Sequence, residues 1–414
     1  MQPLKVVVPG KFWDSQIYSG RLYLFERNGG VNVLDWDKLI AEWKIEERLR
    51  LAIVFAFRRS DYLYGRDWQD LLSDSEIREL IHHKFKALSE KNLVADPQDL
   101  ERVQVAHEDN PFPFPHTDST IYKSNLYVAS QKGVSRASCE TDAELFVLGE
   151  PVLEWDAPVS AIATSYDTLA VAAGDEGLFE LGLEPHSRFS LGSHKPFQLS
   201  KSNCVDCNWA YYSIYGSSHI GPSYLAQFTR EKAQDGGEGE ELRKFDRLIS
   251  DDHIFHGSGY SWGNQEKLCQ LRDGQLTIIR YRPWARREAT QLKRLGTLNV
   301  RPTTATIQFE AWKGEAIAGR VAVFGTVIEL ENAIVVVLSD ETVVTLPGEP
   351  INWRTFPRSK FYENHMHVIY RDRLEVFSFN QDYFVSQSQK LSGLYHSRRT
   401  GKRLELPTGM PDEL

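Results

Sequence analysis

Two stretches of the sequence repeat one another and decide the fold. Residues 14–23 are Asp-Ser-Gln-Ile-Tyr-Ser-Gly-Arg-Leu-Tyr, and residues 118–127 are Asp-Ser-Thr-Ile-Tyr-Lys-Ser-Asn-Leu-Tyr. They share the frame Asp-Ser-x-Ile-Tyr-x-x-x-Leu-Tyr, in which six of ten positions match. Each copy continues into a glycine-containing turn, at Gly29 and at Gly133, and then into another apolar stretch. Such self-similarity indicates a repeat architecture.

The frame predicts a β-hairpin. Asp and Ser close a turn on their own backbone, Leu-Tyr opens a strand, and Gly supplies the positive φ that a hairpin turn requires. Five looser copies of the hairpin follow at residues 159–181, 210–228, 267–281, 333–346 and 367–379. A further strand pair at 320–324 and 327–330 leaves the repeat count open by about one. Strands that precede a hairpin are predicted at 159–164 and 254–262.

The hairpins recur at the period of a propeller blade. The starts at Leu126, Leu169 and Ala210 are about 40 residues apart, and a blade of four strands takes roughly 40–45. The chain therefore resembles the β-propeller superfamily, which includes WD-repeat and kelch proteins, in the shape of its repeats. Trp36-Asp37 and Trp155-Asp156 do not fall at matching repeat positions. The resemblance implies an all-β propeller of about seven irregular blades, and a pair of β-sandwiches is the alternative.

One region departs from the strand pattern and predicts an α-helical insertion near the N-terminus. Residues 73–76, Ser-Asp-Ser-Glu, fit a capping box before a helical apolar face, and 38–50 has a helical pattern too. The apolar run 51–57 fits either a helix or a strand. We therefore expect four parts, listed in chain order: a first blade at 1–36, the insertion at 37–110, the remaining blades at 111–395, and a basic, proline-containing tail at 396–414.

Composition favours a globular protein of the cytoplasm. The 414 residues are 41% hydrophobic and 25% charged, and four cysteines are too few for a disulfide scaffold. Residues 1–9 lack a signal-peptide core, and the longest apolar run falls far short of the roughly 18 residues that span a membrane. A net charge of −9 does not by itself attract nucleic acid. We expect no membrane association.

Cys204-Val-Asp-Cys207 is the single Cys-x-x-Cys motif, and it is a weak candidate for a metal site. A structural zinc ion needs four ligands, and His194 and His219 are the nearest histidines in sequence that could complete the set. If the segment is a strand, the two thiols point to opposite faces and cannot share a metal. We predict that the site holds no metal and that the protein needs no cofactor.

Two further pairs of histidines are close enough in sequence to be considered as metal ligands. His365 and His367 would share one face of a strand, where both could bind one metal, but the sequence gives no further ligands for it. His253 and His256 form the other close pair. For His365 and His367 the simpler interpretation is a solvated strand.

The densest basic cluster lies in eight residues that also contain aromatic side chains. Such a cluster could grip phosphates and stack bases, although a strand end followed by a solvated loop explains it more simply. The candidate nucleic-acid contacts are Arg280, Arg282, Trp284, Arg286 and Arg287.

The sequence contains none of the local motifs that mark phosphate-binding loops, nucleophile elbows or zinc proteases. We therefore predict a non-catalytic scaffold or sensor subunit that recognises a protein partner through the propeller face and the insertion, because rigid scaffolds with variable loops suit recognition. The alternatives are a hydrolase-like enzyme with its site in the propeller channel, and a nucleic-acid-binding subunit.

Overall fold

The computed structural model shows an all-β protein built from seven four-stranded antiparallel blades of the propeller kind. It describes residues 3–58, 74–139, 141–142, 145–183, 196–232, 241–265, 267–281, 305–308, 316–338, 342–359 and 361–379. The chain divides into two compact units, Met1–Asn110 with Ile317–Leu414, and Pro111–Ala316. We number the blades in chain order.

The central unit, Pro111–Ala316, contains blades 2 to 5. Blade 2 has strands His116–Tyr122, Asn125–Ser130, Gly133–Ser138 and Val152–Trp155, with a small hairpin of Thr141–Asp142 and Leu145–Phe146 before the last. Blade 3 has strands Ala161–Ser165, Thr168–Ala172, Leu178–Gly182 and Phe197–Ser200. Blade 4 has strands Asp206–Ala210, Ser213–Ser217, Tyr224–Lys232 and Glu241–Ser250. Blade 5 has strands Tyr260–Asn264, Lys267–Arg272, Gln275–Arg280 and Ala305–Gln308.

The other unit contains blades 1, 6 and 7. Blade 1 has strands Phe12–Tyr18, Arg21–Glu26, Val31–Asp35 and Gln104–Glu108. Blade 6 has strands Ala316–Val321, Gly325–Leu330, Ala333–Leu338 and Val343–Pro347. Blade 7 takes Asn352–Thr355, His365–Ile369 and Arg373–Ser378 from the end of the described chain and Leu4–Pro9 from its beginning.

The predicted equivalence of the repeats is confirmed. Residues 22–25, 126–129 and 169–172 each lie in the second strand of their blade, paired with the first and third strands. The turn glycines have the expected positive φ, +116° at Gly133 and +99° at Gly177. They also have a second role, because a Cβ on either would lie within 2.0 Å of a carbonyl oxygen at the fourth strand, that of Trp155 or of Ser200.

The aspartate of the repeat frame fixes one blade to its neighbour. Asp118 lies where the first strand of blade 2 shifts register. Its Oδ1 accepts a hydrogen bond from the Ser119 amide, and its Oδ2 accepts one from the Ile162 amide of blade 3, at 2.8 Å each. Asp14, at the same position of blade 1, accepts from the Ser15 amide and pairs with Arg354 of blade 7. The shared Asp-Ser pair therefore serves packing between blades.

The strand pairing divides the first hundred residues differently from the ranges 1–36 and 37–110. Leu4–Pro9 belongs to blade 7, where it pairs antiparallel with Arg373–Ser378. Blade 1 is completed only by Gln104–Glu108, which pairs with Val31–Asp35. The insertion thus lies between the third and fourth strands of blade 1, and residues 396–414 lie outside the described residues.

The insertion is helical, as predicted. Its described residues contain a 3-10 turn at Glu47–Leu49 and the helices Trp36–Ala41, Arg50–Phe57, Ser75–Ser89 and Pro97–Val103. The apolar run 51–57 is therefore a helix. The helix Ser75–Ser89 is capped by Asp74, whose side chain accepts hydrogen bonds from the amides of Glu76 and Ile77. The expected helix over 38–50 breaks into two short pieces around residues 42–46.

The change from strand to helical sequence period suggests an insertion that could be removed, but the structure shows that the insertion is part of the core. Ile81, Phe85 and Leu88 pack into one buried cluster with strand residues such as Leu4 and Leu22. Leu93–Val94 adds a fifth strand to blade 7, parallel to Leu4–Pro9. Removing these helices would expose the apolar faces of two blades.

Candidate interaction site

The site lies at one end of blades 3 and 4, within the central unit. Because the strands of a blade alternate in direction, the turn from second to third strand and the connection to the next blade leave a sheet at the same end. Four such segments form what we call the loop surface: residues 173–177, 201–205, 218–223 and 251–259.

Hydrogen bonds join three of these segments. Gly174 and Cys204 exchange backbone hydrogen bonds of 2.9 and 2.8 Å. Asn203 donates to the Asp175 carboxylate at 2.9 Å, and the Ser218 hydroxyl donates to the Asn203 side-chain oxygen at 2.9 Å. The connection between blades 3 and 4 is therefore tied to a turn of each blade.

The segment 218–223 presents an apolar side chain to solvent. Ile220 is 77% exposed, the highest value among the large hydrophobic side chains that the structure describes. Its amide donates to the Ser218 hydroxyl oxygen, and the Ser218 amide donates to the Ser223 hydroxyl oxygen, both at 3.3 Å. The loop thus holds Ile220 outward by its own side-chain-to-backbone hydrogen bonds.

The segments of the loop surface also carry exposed polar and aromatic groups. The exposed His219 ring stacks on Tyr260 with 6.4 Å between centroids. Asp175, Glu176 and Asp252 are exposed on neighbouring segments. An apolar centre with a polar surround is the usual anatomy of a protein-recognition surface.

A buried hydrogen-bond chain supports the segment 251–259. The Tyr215 hydroxyl donates to Ser261 Oγ at 2.8 Å, and Ser261 donates to Asp251 Oδ2 at 2.7 Å. Burial raises the pKa of the Asp251 carboxyl above its usual value, while the bond from Ser261 opposes the rise. The three side chains are buried, so Ser261 is not accessible to a substrate and the chain positions the helix Asp251–Phe255.

A second buried group locks blade 4 against blade 3. Arg243 pairs with Glu180 of blade 3, and both are almost fully buried. The guanidinium carbon lies 3.3 Å from the centroid of Phe228 and 4.8 Å from that of Trp209. Burial raises the pKa of the Glu180 carboxyl, and Arg243 opposes that shift. Arg243 Nε also donates to the Tyr212 carbonyl, in the turn between the first and second strands, so the ion pair joins blades 3 and 4 toward the end of blade 4 opposite the loop surface.

The weak metal candidates have separate surroundings. Cys204 and Cys207 are buried, and their thiols donate to different carbonyls, those of Asp206 and of Ala161. Burial raises the pKa of the Cys204 thiol to about 12, which disfavours the thiolate that binds metal. His219 is exposed, and His194 lies outside the described residues. Across the part of the chain that is described, no three His, Cys, Asp or Glu side chains group as metal ligands. The absence of a metal stays a prediction.

The other histidine pairs differ from expectation. His365 and His367 are fully buried in the second strand of blade 7, where a solvated strand was expected. His365 bonds the carbonyl of Ala56, and His367 bonds Ser15. His253 lies on a helix and His256 caps it in the left-handed conformation, so the strand predicted at 254–262 begins only at Tyr260.

The nucleic-acid candidates are not brought together by the described structure. Arg280 ends the third strand of blade 5. Arg282, Trp284, Arg286 and Arg287 lie outside the described residues.

None of the helices in the described ranges combines the length and the apolar character that crossing a bilayer requires.

Sequence reasoning missed Ile220. The signal was present, since residues 217–223 are Ser-Ser-His-Ile-Gly-Pro-Ser, a single large apolar residue among turn-forming ones. The turn of this hairpin was expected at Gly216, which instead lies inside the strand Ser213–Ser217. Placing the turn four residues too early hid the exposed position.

No family model and no curated protein matches the chain. Among solved structures, the WD40 domain of Pan2 from Neurospora crassa is 8% identical, with 89% of this chain and 90% of that one covered and a TM-score of 0.43. The WD40 propeller domain of Doa1 is 12% identical, with coverages of 64% and 92% and a TM-score of 0.33.

A third similar structure is the extracellular domain of the one component system BT4673 from B. thetaiotaomicron, 11% identical with a TM-score of 0.42. The match covers 91% of this chain, which spans 40% of the length of that one. Because these TM-scores are low, the fold is assigned from the strand pairing described above. The seven four-stranded blades and their strand order give the chain a β-propeller fold.

Proposed function

We propose that the protein is a non-catalytic binding subunit that recognises a protein partner through the loop surface of blades 3 and 4. The observation that carries the proposal is Ile220, a large apolar side chain held outward at 77% exposure by a hydrogen-bonded loop. Residues that dominate binding energy are anchors of this kind, apolar and surrounded by polar contacts.

The stiffness of the site supports a binding role. Side chains and loops that are already ordered lose less entropy on association, so more of the contact energy remains as affinity. Here the loops are joined through the side chains of Asn203 and Ser218. The insertion belongs to the core of the other unit, which supports a mainly structural role for it.

We also propose that the protein works in the cytoplasm as a regulatory or scaffold subunit. All four cysteines are buried, and none forms a disulfide bond. Disulfides are rare in the reducing cytosol, so cysteines outside disulfides are compatible with this location.

The test compares proteins that co-purify with the tagged full chain and with two variants, by quantitative mass spectrometry. Ile220→Glu places a charge at the proposed anchor, and Leu80→Glu does so at an exposed leucine of the insertion helix, which is 56% exposed. We expect at least one protein to be enriched with the wild type and with Leu80→Glu but lost with Ile220→Glu. Identical sets from all three proteins would refute the proposal.

A further inference from the structure

Among the residues that the structure describes, the outermost strand of blade 2 is paired on one side only. Its sheet runs in the order Val152–Trp155, Gly133–Ser138, Asn125–Ser130, His116–Tyr122, so Val152–Trp155 is bonded on one side. An edge strand presents backbone amides and carbonyls that can pair with another strand.

This edge is apolar. Val152 and Leu153 are each 53% exposed although they are consecutive, and Val147, just before the strand, is 54% exposed. Because successive residues of a strand point to opposite faces, both faces are open to solvent at this point.

The outer strands of blades 1, 4 and 6 carry features that discourage pairing. Gln104–Glu108 of blade 1 is mostly polar, Glu241–Ser250 of blade 4 contains five charged residues, and Val343–Pro347 of blade 6 ends in proline. Charges and proline are the usual devices that blunt an edge. The edge of blade 2 has one charged residue, Glu154, which is paired with Arg136 of the adjacent strand.

Blade 7 shows how this fold covers an apolar edge. Its outer strand Leu4–Pro9 is paired in parallel by Leu93–Val94 of the insertion, and the Ala95 amide extends the pairing with a 2.8 Å bond to the Val7 carbonyl. Leu93 becomes buried in doing so. A short apolar segment is therefore sufficient to extend a blade.

The exposed apolar area at this edge strand indicates whether a second copy of the chain or a peptide can bind there. Three half-exposed aliphatic side chains offer on the order of 200–300 Å², whereas a stable protein–protein interface buries about 800 Å² on each partner. A second copy of this chain would gain too little, while an extended peptide gains backbone hydrogen bonds as well as side-chain burial.

We propose that the edge strand Val152–Trp155 binds a short, extended, apolar peptide segment of a partner as an added strand of blade 2. The proposal rests on the binding function proposed above and gives it a second, independent contact. Strand addition takes its affinity from main-chain bonds and its specificity from alternate side chains.

The experiment selects a phage-displayed library of random dodecapeptides on the immobilised full chain. We expect enrichment of peptides with β-branched and aromatic residues. A selected peptide should bind Leu153→Lys at least tenfold more weakly than wild type, measured by fluorescence anisotropy. Leu153 is half-exposed, so the variant should keep the wild-type melting temperature. Absence of enrichment, or equal affinity for Leu153→Lys, would overturn the proposal.

Ile220→Glu separates this proposal from the preceding one. A strand-adding peptide should bind Ile220→Glu as tightly as wild type. Peptides that lose affinity for Ile220→Glu but not for Leu153→Lys would support binding at the loop surface and refute binding at the edge strand Val152–Trp155. If co-purification of partner proteins depends on neither Ile220 nor Leu153, the proposed role of the loop surface is refuted. The proposed role of the edge strand is then supported or refuted by the peptide-binding result.

Discussion

Acid should destabilise the protein through His365, whose imidazole is fully buried. Its Nε2 lies 2.9 Å from the Ala56 carbonyl oxygen, so the proton of the neutral ring is on Nε2. Nδ1 is buried without a hydrogen-bond partner among the described residues. A second proton would put a charged N–H there with no acceptor, and burial accordingly lowers the pKa of His365 to about 4.

The size of the effect follows from the two pKa values. In the unfolded chain the ring titrates near its ordinary value of 6.5, so below that pH the unfolded state binds more protons than the folded state. Stability is therefore fully present above about pH 6.5 and is lost as the pH falls toward about 4. Between pH 7 and pH 5, this one group should remove about 2 kcal/mol of unfolding free energy.

The assay compares urea unfolding, followed by tryptophan fluorescence, at pH 7 and pH 5. In His365→Gln the side-chain amide can still donate to the Ala56 carbonyl but does not titrate. The variant should lose about 2 kcal/mol less than wild type over this interval. His219→Gln, at an exposed histidine, should follow the wild-type profile. An equal loss in wild type and His365→Gln would refute the reasoning.

Three further outcomes are expected. Gly133→Ala should lower the free energy of unfolding by more than the roughly 1 kcal/mol typical of a strained backbone φ, because the alanine Cβ would collide with the Trp155 carbonyl oxygen. An unchanged midpoint of urea unfolding would contradict this. Arg243→Met should cost about 3–5 kcal/mol by leaving Glu180 buried without its partner, and a second change, Glu180→Gln, should recover part of it; no recovery would contradict the ion-pair account. Replacing residues 75–103 with a Gly/Ser linker should abolish cooperative unfolding, whereas a normal melting transition would show that the insertion is dispensable.

The repeat frame predicted the fold because its information is local. The turn glycine and the Leu-Tyr strand start act within one hairpin. The frame also places Asp118 and Asp14 at equivalent points of their blades, although their bonds to a neighbouring blade were not part of the prediction. Periodicity at about 40 residues then indicates blades without any knowledge of long-range contacts.

Long-range pairing could not be predicted in the same way. Nothing near Leu4–Pro9 indicates that its partner strand is Arg373–Ser378, at the far end of the described chain. The run 51–57 is helical but mostly buried, so it lacks the polar face that would have shown its period. Burial of His365 and His367 likewise depends on elements distant in sequence.

The candidate site was the least predictable part. Ile220 forms a site only because blade packing brings residues 173–177 and 201–205 beside its loop, through hydrogen bonds that no local pattern specifies. The metal-site and basic motifs could be identified because each is local in sequence, whereas a recognition surface is assembled from dispersed loops.

Site-specific photo-cross-linking tests the central claim most directly. A photoreactive benzoylphenylalanine is placed at position 220 of the full chain, and in a matched protein at position 80, and both are irradiated in the cells that express them. We predict one or more discrete protein adducts from position 220 and none in common from position 80. No adduct from position 220, or the same adducts from both positions, would contradict a protein-binding role for the loop surface.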